Sequence, residues 1–149
     1  MSFLTDIEAF VEKAILKASS SVSNVAEDLM TAVVVNTPSP SNPGPFASGL
    51  LANQWYPSLG EDFSGMVSSD ANVNGSSSLS RIKVALSSQP FLRQDGVVTL
   101  TNNVSYAYRA EHLGWPAGEG DNGWHWSGRQ GPYAMVSKSM AYVQGKYKV

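Results

Sequence analysis

Apolar residues recur at Phe3, Ile7, Val11, Ala14, Ala18, Val22, Val25, Leu29 and Val33, in steps of three and four. That spacing keeps them on one side of a helix, so the amino-terminal segment is predicted to form one amphipathic helix. Its end falls near Asn36, because Pro38 disfavours helical geometry at Thr37 and cannot donate to the helical ladder. A continuous helix over 3–36 would run about 50 Å at about 1.5 Å per residue. A globule of 149 residues has a radius of gyration near ~15 Å, hence a diameter of about 40 Å. The helix overshoots any globule the chain can build. Either it bends at Ser19-Ser20-Ser21 or its end is covered by a neighbouring subunit.

Beyond the helix, four prolines between Thr37 and Pro45 impose an extended loop. A short helical piece from Phe46 to about Asn53 follows, with Phe46, Leu50 and Leu51 facing the core. Trp55 and Tyr56 begin a strand that Pro57 is expected to limit. Residues 60–78 turn to Ser, Asn, Asp and Gly, which reads as a long surface loop. Leu79, Ile82 and Leu86 fit a short helix, although Ile82, Val84 and Leu86 would also suit a strand; the helix is the reading adopted. Residues 96–102 are β-branched between turn residues and read as a strand. Tyr106 to His112 forms a helical turn or two, and 114–131 is a loop rich in glycine and tryptophan. A final helix starts at Pro132, carries Met135, Val136, Met140 and Val143, and has Lys138, Lys146 and Lys148 towards its favourable end. The expected fold is a single α+β domain: a long amino-terminal helix, a small antiparallel or mixed sheet around 54–59 and 96–103, a carboxy-terminal helix and long irregular loops.

Chemistry is sparse. Charged residues make up only 15% of the chain, against roughly 25% in ordinary globular proteins. Five Met with four Trp and six Tyr lean towards protein contact surfaces. A net charge of −2 lacks the clustered cationic excess that gripping phosphates requires. The absence of cysteine removes disulfides, thiolate metal sites and cysteine nucleophiles. His112 and His125 lie near Glu111, Glu119 and Asp121 but lack metal-ligand spacing, and read as ordinary polar loop residues. No nucleophile elbow, phosphate loop or dinucleotide fingerprint occurs. No enzyme and no cofactor are expected. Nor does the chain hold an apolar run long enough to span a bilayer or a secretory leader pattern, so synthesis in the cytoplasm without membrane association is expected.

The sharpest local oddity is the aromatic set Trp115, Trp124, His125, Trp126 and Tyr133. Such a set can anchor a protein partner, stack on a sugar or base, or fold its own loop as a minicore. Candidate subunit or partner contacts are therefore Phe3, Ile7 and Val11 on the long helix, and Trp115, Trp124, Trp126 and Tyr133 in the aromatic segment.

Several short motifs recur here in a known order. Asn36-Thr37-Pro38 is followed by Ser48-Gly49-Leu50 and Asn53-Gln54-Trp55. Then come Thr101-Asn102-Asn103, Tyr106-Ala107, Glu111 and Gly114, and finally Ser127, Gln130-Gly131-Pro132 and Met135-Val136. In this order the chain resembles the neck and tail-component family of tailed phages, whose members are head-tail joining or tail-completion proteins. It departs at Ala47-Ser48 and Leu51, where the family carries Asp and Arg around its glycine, and segment 115–126 looks inserted. The resemblance implies a structural subunit of the virion neck, assembled in the host cytoplasm as a homo-oligomeric ring. Its partners would be a portal, adaptor or head-closure protein on one side and a tail terminator or tube protein on the other. DNA would pass through the lumen without specific binding, aided by a modestly acidic wall. The alternative is a small module whose aromatic loop binds carbohydrate or a host protein. No catalytic residue is carried over.

Overall fold

The computed structural model describes residues 3–39, 49–67, 74–87, 97–114, 118–119, 125–126 and 132–148. Helix α1 spans Phe3–Asn36, and Ser19-Ser20-Ser21 do not interrupt it. Thr37 closes it: its N–H donates to the Val34 carbonyl at 3.1 Å and its hydroxyl to the Val33 carbonyl at 2.7 Å. Pro38 then blocks continuation. Most of the proline-rich loop, and Phe46 with it, lies outside the described residues. The short helix α2 covers Leu50–Asn53 and is entered through Gly49, whose φ of +84° is one that side chains with a Cβ rarely adopt.

Strands β1 (Tyr56–Leu59) and β2 (Val98–Thr101) pair antiparallel, with Tyr56 opposite Thr101 and Leu59 opposite Val98. Pro57 does not limit β1 as the sequence suggested; it sits inside, opposite Leu100. The ladder explains this. The Gly60 N–H donates to the Val97 carbonyl at 2.9 Å, and alternation then points the backbone of residue 57 away from β2, so proline's missing donor removes no ladder bond. Helix α3, Ser76–Ser87, begins before the expected loop end at 78 and buries Ile82 and Leu86. Helix α4 is Ala107–His112. Gly118–Glu119 and His125–Trp126 form a second small pair, β3 and β4, inside a segment expected to be loop.

Helix α5 runs Met135–Tyr147, antiparallel to α1. Two contacts fix the alignment: Asn36 Nδ2 donates to Ser139 Oγ at 3.0 Å, and Lys146 Nζ lies 2.6 Å from Asp28 Oδ2. Pro132 stands ahead of the first turn, not in it. The chain is pinned there by α4, with Tyr133 N–H donating to Ala110 O at 2.8 Å and Ala134 N–H to Glu111 O at 3.3 Å. Ala134 takes the cap position with φ +49°. Of the three lysines only Lys146 lies in the last turn; Lys138 lies in the first, and Lys148 caps the end.

The core gathers Met30, Val33, Val34, Leu51, Trp55, Ile82, Leu86, Val104, Ala110 and Met135. Its composition corrects the reading of α1. Of the eight stripe residues from Ile7 to Val33, only Val33 is buried; Val25 and Leu29 are half-buried, and Ile7, Val11, Ala14, Ala18 and Val22 are exposed. The buried positions are Ser19, Met30, Val33 and Val34, with Ala26 half-buried beside them. Apart from Val33, which belongs to both, these lie about a quarter turn or more from the stripe at roughly 100° per residue.

Candidate interaction surface

The family-like motifs fall at joints of the fold. Thr37 is fully buried, and its hydroxyl, while donating to α1, accepts Trp55 Nε1–H at 2.9 Å. One oxygen thus ends a helix and orients the largest core side chain. Gln54 pairs with Val67 in both directions, at 2.8 and 2.9 Å, holding the 60–67 segment to the core. Asn102 donates to Leu51 O at 2.8 Å and accepts Val104 N–H at 3.2 Å, closing β2 with a side-chain turn. Asn103 donates to the Phe63 and Gly65 carbonyls at 2.9 and 2.8 Å.

Glu111 supplies what α5 lacks. The cap residue Ala134 has no side-chain acceptor, so the Glu111 carboxylate reaches from α4 to accept Val136 N–H at 3.0 Å and Ser137 N–H at 3.3 Å. Two of the first-turn donors that every helix leaves unpaired are satisfied by one anion at the positive end of the dipole. Arg81 does the reverse for α2. Its guanidinium donates to the Asn53 and Trp55 carbonyls and to Ser78 Oγ at 3.0 Å, and burial lowers its pKa from the ordinary value. Sequence reasoning passed over Arg81 because a lone arginine on a short helix carries no motif.

The remaining shifted groups also serve packing. Burial raises the phenols of Tyr106 and Tyr133. At the α1–α5 seam, hydrogen bonds from Lys146 and Tyr147 hold the Asp28 carboxyl below its ordinary range, and the same carboxylate raises both partners. Asp28 lines a shallow groove of about 310 Å³ with Thr31, Val35 and Tyr142. A second cleft of about 430 Å³ lies over Tyr56, Pro57, Arg81 and Val84. Among the described residues no cluster of three metal-binding side chains occurs, and no helix is long and apolar enough to cross a membrane.

Of the sequence-predicted contacts, Ile7 and Val11 stand 45% and 48% exposed on α1. Phe3 opens the same helix. Tyr133 is half-buried and packs against the core. Trp126 belongs to β4, paired with Gly118, while Trp115 and Trp124 lie outside the described residues. The structure adds exposed residues that the sequence reading did not name: Phe10, 73% exposed, and Ile15 beside the stripe, and Leu16 on another side of the helix. Phe10 and Ile15 border the stripe on either side, which a wheel drawn wider than the three–four ladder would have caught. The result is an apolar face on the amino-terminal half of α1 that the described fold leaves in solvent.

Compared with family models, curated proteins and solved structures, the chain matches none.

Proposed function

We propose that this chain is a structural protein of the head-to-tail connector of a tailed phage, one copy in a ring that joins portal or adaptor to tail tube. The observation that carries this reading is the exposed apolar face of α1 over residues 7–22. A patch of this kind marks a site that a partner covers. α5 has 13 residues against 34 in α1, so it covers little more than a third of that length. A subunit built to be completed by neighbours has this form. The joints formed by Thr37, Trp55, Asn102 and Glu111 add support, since they give the family-like motifs architectural work and ask for no substrate. In a closed ring each copy offers two different faces to its neighbours, and rotation closes the set.

The test is antibody labelling of intact virions from the phage that encodes the chain. Label at the junction of head and tail is the expected result. Virions that lack the chain altogether, or carry it only at the tail tip, would refute the connector role.

A further inference from the structure

The exposed half of α1 carries a repeat that the core does not use. Ile7, Val11, Ala14 and Ala18 follow a four-three-four spacing, and Ala18, Val22, Val25 and Leu29 repeat it. An eleven-residue repeat has about 3.67 residues per turn, close to the 3.6 of an undistorted helix, so the face runs nearly straight along α1. Ala14 and Ala18 stand at mid-face, where small side chains let a second helix approach; Ile7, Phe10, Val11 and Val22 stand towards the ends.

Within residues 7–22 the flanks of this face differ in sign. At about 100° per residue, Glu8 and Glu12 fall on one side and Lys13 and Lys17 on the other, while Asp6, one residue ahead of the span, falls on the lysine side; Glu8, Glu12, Lys13 and Lys17 are all exposed. Two copies of the helix packed antiparallel about a two-fold axis would bring like flank to like flank. Copies running in the same direction set the acidic flank of one beside the basic flank of the next, which is the favourable arrangement. A lipid surface is the poorer occupant, because Asp6, Glu8 and Glu12 outnumber Lys13 and Lys17, whereas membrane-lying helices carry a lysine-rich polar face.

Area points the same way. Residues 7–22 run about 24 Å on a helix roughly 10 Å across, a face of a few hundred Å². That is short of the roughly 800 Å² per partner in a standard stable pair. One such contact is weak; in a ring the acidic flank of α1 meets one neighbour and the lysine flank the other, so each copy makes two.

We propose that α1 packs over residues 7–22 against the same segment of neighbouring copies of this chain, helices running in the same direction, the Glu8 flank beside the next copy's Lys13 and Lys17. This deepens the ring reading, on which it rests for the second neighbour of each copy.

The chain contains no cysteine, so introduced thiols report unambiguously. Full-length Ile7→Cys and Val22→Cys proteins would be treated with a short bis-maleimide, separately and mixed, after circular dichroism has verified the fold. Same-direction packing crosslinks each variant to itself and gives no Ile7–Val22 product. No antiparallel register brings both equal pairs together, so an Ile7–Val22 product in the mixture overturns the direction. Chains that stay uncrosslinked at high concentration overturn the second copy as occupant, as does co-flotation with anionic vesicles in place of crosslinking. Failure here with label still at the virion neck would discard α1 as the contact and leave the connector role standing. Crosslinking by a chain absent from virions would do the opposite.

Discussion

The two halves of α1 are made from similar residues and meet opposite fates. From Met30 to Thr37 one side of the helix and its terminus pack against α2, α3 and α5, and Val33, Val34 and Thr37 are almost wholly buried. From Ile7 to Val22 the helix presents Ile7, Phe10, Val11, Ile15, Leu16 and Val22 to solvent. Both halves are helical, so burial is not what decides local structure here. What differs is the reach of the neighbours: α5 ends at Tyr147, beside Asp28, and beyond that point its cover stops. A helix can therefore carry two apolar faces, one closing the core and one that the described fold leaves in solvent.

The most direct way to break this comparison is to place the same charge in each half. Val34→Asp puts a carboxylate where 2% of the residue is exposed, and an uncompensated buried charge costs about 3–5 kcal/mol. Val22→Asp at a position 47% exposed should change stability by no more than about 0.5 kcal/mol. Urea unfolding of both variants checks this, with the midpoint falling for Val34→Asp alone. Equal losses would mean that the amino-terminal half is part of the cooperative core of the monomer.

Gly75 probes how closely the covered half is packed. Its φ is +72°, and a Cβ there would stand 2.6 Å from Val34 Cγ1 and 3.2 Å from Ala52 O. Gly75→Ala should cost about 2–4 kcal/mol, combining left-handed strain with overpacking against α1. Adding Val34→Ala removes the nearer clash but not the strain, so the double variant should be less destabilised than the two single losses added together. Strict additivity in thermal unfolding would show that the steric contact with α1 contributes nothing.

A smaller effect separates buried from exposed hydroxyls on the same helix. Thr37→Val leaves Trp55 Nε1–H without the acceptor it uses at 2.9 Å, and an orphaned buried donor costs about 1–3 kcal/mol. Ser21→Ala removes an exposed bond to Lys17 O at 3.0 Å and should leave the unfolding midpoint nearly unchanged. Thr37→Ser keeps the bridging oxygen and should recover most of the loss. If valine and serine were equivalent at position 37, the bridge would carry no weight.

These comparisons also mark how far the sequence could be read. The extent of α1, the helical choice for Leu79 to Leu86 and the strand at 98–101 were legible, because periodicity and turn residues act locally. Which face of α1 enters the core was not. The core side uses Ser19 and Ala26 as well as Met30 and Val34, and small or polar residues leave no mark in an apolar pattern. Pro57 misled for a related reason: whether a proline breaks a strand depends on which way its absent N–H would point, and that is set by β2 some forty residues away. The motif residues Thr37, Trp55, Asn102 and Glu111 were visible as an ordered set, yet their work was not. A carboxylate on α4 caps α5 only once Tyr133 and Ala134 have been drawn onto α4. On the exposed face, Ile7 and Val11 had been named from their spacing, while Phe10 and Ile15 fell outside the narrow ladder.

The smallest expected effect lies at the boundary between the two halves. Asp28 is held by Lys146 at 2.6 Å and by the Tyr147 hydroxyl, where α5 runs out. These bonds lower the carboxyl from its ordinary 3.8, so the stabilisation is present above that value and fades as pH falls through the lowered one. Lys146 is raised above 10.5, so its share is complete below 10.5 and is lost only as pH rises through the raised value. Between about pH 5 and pH 9 the tie should therefore be constant. Asp28→Asn should lower the melting temperature slightly and equally across that window, and the difference from the native chain should shrink towards zero in strong acid, where the native carboxyl is also neutral. Added salt should shrink it further, as for any surface pair. Amide exchange in the last turn of α5 gives the local readout. Faster exchange there, with the amides around Val34 unaffected, would place the limit of the covered half at Asp28; faster exchange throughout α1 would show that the two halves open as one unit.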